Sequence, residues 1–327
     1  MGKSLARTSR LCALALAGLC LRASADGLPR NEDAFHTGSE VSAAYVDPEK
    51  MKEEWGDPKA MGYEYDGDKL NWVLVWSEEF DGTGKPDPSR WVYDTGGSGW
   101  GNHELEYYTP GDNAEVADGR LTIECRKEEK EGMAYTSTRM ATRRLGDWLY
   151  CKVEARAKLP AGRGTWPAVW MLPTDWDYGS WPASGEIDIM EHVGYDPNVI
   201  VQSIHCNRFF GGNAKNHSVR VPGVCEEYHT YGLEWMPDRI TFLVDGAETW
   251  TYRPSDFTEH PNKDFWPFDK RMHLLVNLAF GGDWGGFAGI DESCLPARYE
   301  VDYIRVYQSP EILALTGQNP PKEVSPE

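Results

Sequence analysis

Ser184-Gly185-Glu186-Ile187-Asp188-Ile189-Met190-Glu191-His192-Val193-Gly194 interleaves three carboxylates with isoleucines. In an extended chain successive side chains alternate faces, so Glu186 and Asp188 point one way while Ile187 and Ile189 point the other. A helix is disfavoured, because the segment is β-branched, follows Pro182 and Gly185, and would scatter the carboxylates around its axis. Glu191 has the wrong parity to join its partners. One extra residue bulged out around Met190 corrects this, and bulges are frequent beside active sites. With that bulge the Glu186 and Glu191 α-carbons lie roughly 13 Å apart, at about 3.3 Å per residue. If each side chain leans about 4 Å toward the other, the carboxyls end on the order of 5 Å apart.

Outward from this stretch the chain keeps the same texture. Short runs of alternating apolar residues, separated by turn residues, recur at 72–76, 121–126, 149–158, 165–172, 185–191, 200–205, 229–235, 239–244, 273–279 and 300–306. Val244-Asp245-Gly246 is a hairpin-type turn. Many short strands without intervening helical segments predict an all-β fold, an antiparallel sandwich or jelly roll. In 149–158, Cys151, Val153, Ala155 and Ala157 share one face, and Lys152, Glu154, Arg156 and Lys158 the other. In 165–172, Trp166, Ala168 and Trp170 oppose Val169 and Met171. If the second face packs in the core, the first offers two tryptophans to a concave surface; both could equally be core residues on pattern alone.

The chain has 327 residues, 14 tryptophans, 16 tyrosines and a formal charge of −19. That balance disfavours nucleic acid, anionic membranes and strongly anionic polysaccharides, because phosphate or sulfate neutralisation needs Lys and Arg. It suits a neutral sugar polymer, whose apolar ring faces stack on tryptophan. Residues 1–25 read as a signal peptide: Lys3, Arg7 and Arg10, an apolar run from 11 to 21, then Ala23-Ser24-Ala25. Leu19 before Cys20 disfavours lipoprotein anchoring, and no stretch is long enough for a membrane span. Cleavage after Ala25 removes four basic residues, leaving 29 − 52 = −23 and a secreted or periplasmic protein. Five cysteines remain, an odd number; Cys125 and Cys151 face the core side of their strands, as a disulfide or as inert thiols. Residues 26–69 form a polar, acidic, loosely ordered lead-in, 70–309 a single catalytic-sized β domain, and 310–327 a proline-bearing mobile tail.

Assembled, these residues resemble glycoside hydrolase family 16, in its laminarinase-like, endo-β-1,3-glucanase branch. Trp181-Pro182-Ala183-Ser184-Gly185-Glu186-Ile187-Asp188-Ile189-Met190-Glu191 carries the likeness, including the methionine of the bulged branch. Trp76-Ser77-Glu78-Glu79-Phe80-Asp81-Gly82, Asn102-His103-Glu104-Leu105-Glu106-Tyr107-Tyr108-Thr109 and Gly164-Thr165-Trp166-Pro167-Ala168-Val169-Trp170-Met171-Leu172 support it. So do Val153-Glu154-Ala155-Arg156-Ala157-Lys158-Leu159-Pro160 and Val301-Asp302-Tyr303-Ile304-Arg305-Val306-Tyr307. The likeness spans about residues 70–308.

The resemblance implies a jelly roll with a substrate cleft across its concave face, and hydrolysis of β-glucan with retention of configuration. Retaining glycosidases hold their two carboxyls about 5–5.5 Å apart, which matches the spacing estimate. By motif position Glu186 would be the nucleophile, Glu191 the acid and then base, and Asp188 the group that tunes both. Asn102, Glu104 and Arg139 resemble residues of the glycone side, Trp166, Trp170 and Trp181 its stacking platforms, His205 a histidine near the acid/base, and Trp284 a flank of the cleft. No cofactor is implied for catalysis. A structural calcium ion is implied on the convex side, at the carbonyls of Glu79 and Gly119 and the carboxylate of Asp302. The expected partner is a β-glucan, and the expected state a monomer. Mixed-linkage β-1,3-1,4-glucan or a galactan such as agarose is the alternative substrate, and a noncatalytic glucan-binding jelly roll the alternative class. Endo against exo cleavage, and hydrolysis against transglycosylation, stay open.

Overall fold

Alternation along each strand sorts side chains into an apolar and a polar face, and two sheets close over their apolar faces. The computed structural model describes residues 65–326. The expected signal peptide and most of the acidic lead-in lie outside the described residues. The front sheet runs in the order β13 (Lys215–Arg220), β12 (Val199–His205), β11 (Glu186–Glu191), β10 (Thr165–Pro173), β17 (Met272–Phe280), β7 (Arg139–Ala141) and β2 (Val92–Asp94), with β8 (Asp147–Trp148) also on β17. The back sheet runs β16 (Ala247–Tyr252), β15 (Ile240–Val244), β14 (His229–Trp235), β9 (Cys151–Lys158), β18 (Ala297–Gln308), β5 (Arg120–Cys125) and β4 (Ala114–Ala117), with β1 (Val73–Glu78) also on β18. A small parallel pair, β3 (Glu106–Tyr108) and β6 (Tyr135–Ser137), completes the strands.

This is the antiparallel jelly-roll sandwich the sequence predicts, and each of the ten predicted runs is a strand. The strands that pattern does not find are short, such as β2, β3 and β7, or lie at a sheet edge, such as β13 and β16. Between the sheets lies one apolar core. The front contributes Val169, Met171, Ile187, Ile204, Leu274 and Val276, and the back contributes Val153, Ala155, Leu233, Ile304 and Val306, all fully buried. Cys125 and Cys151 join this core as free thiols.

The tail expected to be mobile begins instead with α1 (Pro310–Leu315), which buries Ile312 and Leu313. Its start is well made. The Ser309 hydroxyl accepts from the Ile312 N–H, and Pro310 occupies the first turn, where no N–H is needed. Beyond it, the Val324 N–H donates to the Leu74 carbonyl at 3.0 Å.

Candidate active site

Strand β11 carries the site, and its backbone has the proposed bulge. Asp188 pairs with Ser203 and Glu191 with Val201, so three steps on β11 match two on β12. The same shift shows against β10, where Glu191 opposes Ala168 and Asp188 opposes Trp170. Ile189 and Met190 are both buried in the core, which leaves Glu186, Asp188 and Glu191 together on the open face. Two glycines frame the strand. Gly185 has φ +85°, and a Cβ there would come within 2.8 Å of Phe268. At Gly194 a Cβ would fall 1.9 Å from the Gly162 carbonyl oxygen, so only glycine fits.

Cross-strand register sets what neighbours the carboxylates. One row runs across the sheet as Val201, Glu191, Ala168, Asn277, Arg139 and then Asp94 on β2. The next contains Asn216, Ser203, Asp188, Trp170 and Leu275. A polymer lying across the strands therefore meets polar and aromatic groups on both sides of β11.

Each glutamate receives one indole donor. Trp181 Nε1 donates to Glu186 Oε2 at 3.0 Å, and Trp166 Nε1 donates to Glu191 Oε1 at 3.0 Å. His205 lies between the carboxylates, with Nε2 at 3.2 Å from Asp188 Oδ2 and 3.6 Å from Glu186 Oε1. Its other nitrogen, Nδ1, accepts the Gly211 N–H at 3.2 Å. That contact puts the proton of the neutral ring on Nε2, facing the carboxylates. Donor atoms of Glu186, Asp188 and His205 lie within 4.8 Å of one another, close enough for a metal ion. The tautomer opposes this, since Nε2 then carries the ring proton and offers no lone pair to an ion.

Burial shapes the charge. It pushes Glu186 up to about 8, helped by the Asp188 charge and opposed by His205, Arg139 and the Trp181 indole. Burial likewise lifts Asp188 to about 8. Glu191 is held well above the usual carboxylate range by burial and then by Asp188, with His205 and Trp166 pulling only partly the other way. All three carboxyls thus hold a proton more tightly than free carboxylates do, and they cannot all ionise together near neutral pH.

The other residues singled out in the sequence divide into three groups. On the β17–β7 side, the Arg139 guanidinium carbon packs 4.6 Å from the Trp170 ring centroid and 4.8 Å from that of Trp100, and its Nε donates to Asp94 at 3.2 Å. Burial works against the Asp94 charge, yet Arg143 and Arg139 hold its carboxyl below the usual value. Asn102 Nδ2 donates to Glu104 Oε1 at 3.3 Å in the same neighbourhood. Trp181 is the open platform: it is 43% exposed and packs beside His205 and Phe210. Trp284 differs from its expected place on the flank. It is 1% exposed and packs edge-on behind Trp166, at 5.3 Å between ring centroids, so it supports that indole from below. Trp100, Phe210, Tyr108 and Asn277 join the site without having been singled out. Asn277 left a signal as an amide inside the apolar run 273–279, and Tyr108 lies within the quoted 102–109 stretch.

The expected calcium set sits where β1, β5 and β18 adjoin. There the Asp302 carboxylate accepts from Arg156, and the Glu79 carboxylate takes both Nε and Nη2 of Arg305, at 2.9 and 2.8 Å. As folded, the one side-chain ligand is already engaged by a cation, so the set does not fit calcium unless Arg156 is displaced.

A jelly roll with paired, proton-holding carboxyls on a tryptophan-lined open face defines a glycoside hydrolase. The pattern of glycosyl hydrolases family 16 matches residues 102–305, and the chain belongs to that family. It is 48% identical over 246 residues to a beta-glucanase of Rhodothermus marinus, covering 73% of this chain and 86% of that one. To a glucan endo-1,3-beta-glucosidase of Cryptopygus antarcticus it is 37% identical, covering 72% of this chain and 91% of the other. Its structure is similar to that of the laminarinase from Rhodothermus marinus, with a TM-score of 0.72, 46% identity, and 74% and 99% of the two chains covered.

Proposed function

We propose that this chain cleaves β-1,3-glucan internally, with retention of configuration, and that the product acceptor is water. The observation that carries this reading is the carboxyl pair that the bulge brings to one face of β11, Glu186 and Glu191, each held by one indole N–H. Glu186 attacks the anomeric carbon while the Glu191 proton passes to the departing glycosidic oxygen. The bond to that oxygen breaks as the bond to the Glu186 carboxylate forms. Glu191, now ionised, takes a proton from water, whose oxygen displaces Glu186 and restores both groups. The Trp181 indole and the His205 Nε2–H stabilise the carboxylate of Glu186 when it leaves. Trp170 and Arg139 position the sugars on the glycone side.

The test is a product profile on laminarin, with the anomeric configuration followed by NMR as products form. Initial release of the β-anomer as a series of oligosaccharides is expected; initial α-anomer would overturn retention, and glucose alone would overturn internal cleavage. A mixed-linkage substrate is the second reading. It is favoured by 41% identity to the structure of a non-specific endo-beta-1,3(4)-glucanase, with a TM-score of 0.69. Reducing-sugar release from laminarin, lichenan and agarose side by side separates these, and strong release from agarose alone would overturn both. Export by the amino-terminal segment belongs to the same proposal. Amino-terminal sequencing of the exported protein should begin at Asp26. Because Arg156 already engages Asp302, a chelator should leave thermal melting unchanged; a lowered melting temperature would restore a calcium ion there.

A further inference from the structure

Glu104 and Glu106 are two residues apart on an extended segment, so their side chains share a face. Both point inward, and Glu106 is fully buried. Its Oε2 accepts the Phe280 N–H at 2.7 Å, which fixes one end of the carboxyl. Its Oε1 is buried and accepts from no described donor, and no ion pair joins Glu106 to a described cation. The neighbouring side chain on the same face is the Glu104 carboxyl, which raises Glu106 further. Glu104 is surrounded by donors instead: Asn102 Nδ2 at 3.3 Å on Oε1 and the Tyr108 hydroxyl at 2.9 Å on Oε2. Two carboxyls side by side and out of water cannot both be charged, and Glu106, with Oε1 unpartnered, is the one that keeps a proton.

From Glu104 the bonds continue into the site. Asn277 Nδ2 donates to the Tyr108 oxygen at 3.1 Å, and Trp170 Nε1 donates to Asn277 Oδ1 at 2.7 Å. Trp170 stands opposite Asp188 in the β10–β11 register and packs against Arg139. Tyr108 can donate only one proton, and it gives it to Glu104, so its oxygen is free to accept from Asn277. That acceptance turns the amide so that its oxygen faces the indole. Donor directions along the chain thus depend on Glu104 being a carboxylate acceptor.

We propose that Glu106 is a positioning residue that donates its carboxyl proton from Oε1 to Glu104, and so sets the Trp170 platform through Tyr108 and Asn277. Burial, with the Glu104 charge beside it, lifts Glu106 well above the usual carboxylate range, in agreement with that role. No covalent step is involved; Glu106 keeps its proton through turnover. The proposal rests on the glucanase reading for its effect on substrate, but the carboxyl–carboxylate pair does not.

The experiment compares wild type with Glu106→Gln and Glu106→Ala. An amide donates from the same place, so Glu106→Gln should keep KM for laminarin within about twofold, while Glu106→Ala should raise KM about tenfold or more. The infrared difference spectrum of wild type minus Glu106→Gln at mildly alkaline pH, without substrate, should contain the carbonyl band of a protonated carboxylic acid. A merely space-filling role would lack that band. Absence of the band, or equal KM losses in the two variants, would overturn the proposal. Should laminarin fail as substrate, the band alone still decides the pair.

Discussion

Glu186 and Glu191 each accept one indole N–H, and His205 favours the ionised form of both. Their proposed roles can be told apart by a direct test. Glu191→Gln removes the proton donor and leaves the shape. For laminarin kcat should fall about 10²–10⁴-fold, the range of a lost general acid. An activated aryl glycoside, whose leaving group needs no proton, should lose far less in its first step. Equal losses on both substrates would remove Glu191 from the acid role. Asp188 permits a second test, in stability. Its folded value near 8 lies above the ordinary one, so the folded state holds a proton that the unfolded state releases between about pH 4 and pH 8. Stability from this proton is complete below the unfolded value and is lost as pH rises through the folded one. Asp188→Asn should therefore match wild type near pH 4 in thermal melting. Near pH 8 it should be more stable by on the order of 2 kcal/mol, or roughly 4–8 °C for a domain of this size. A gap that is largest at acid pH would contradict the raised value.

Strand β11 shows what an element adds to its residues. Parity alone places the bulge, because three carboxylates need one face and the isoleucines the other; the β12 register then shows it between Asp188 and Glu191. The strands of the core are legible for the same reason, since alternation leaves a trace wherever one face is buried. Short strands such as β7 leave none, so Arg139 can be placed only by resemblance. The 310–315 helix escapes the sequence because Pro310 and the prolines at 320, 321 and 326 read as tail signals, although Ser309-Pro310 is also a good helix start. Trp284 is misplaced because a motif match cannot tell a platform from the residue packed behind it. Gly194 carries the element-scale prediction. A methyl group there would sit 1.9 Å from the Gly162 carbonyl oxygen, so Gly194→Ala must push the loop after β11 away from the one before β10. We expect a loss of about 2–4 kcal/mol in stability, together with reduced kcat, as the Trp166–Glu191 contact is displaced. Gly289→Ala serves as a control, since its Cβ would meet nothing within 4 Å, although its φ of +79° makes a small cost there too. Equal melting shifts in the two would mean that the close approach at Gly194 is unimportant.

The whole molecule carries its charge far from zero, −19 over the sequence, while the one arginine in the site's central row, Arg139, is balanced by Asp94. A long-range field of that sign does nothing to a neutral polymer and repels a sulfated one. The contrast matters because a keratan-sulfate endo-1,4-beta-galactosidase of Sphingobacterium multivorum is 33% identical to this chain over 247 residues. The net charge of this chain disfavours a sulfated polymer and leaves a neutral one unaffected. For laminarin, kcat/KM should vary less than about twofold between low salt and about 0.5 M salt, where the screening length has dropped below about 5 Å. Affinity for a sulfated galactan should be weak at low salt and should rise as salt screens the repulsion, the reverse of what a basic groove produces. The measurement is binding and hydrolysis of both polymers across a salt series. Tighter binding of the sulfated polymer at low salt would mean that a local basic track overrides the net charge, and would restore the galactans as substrates.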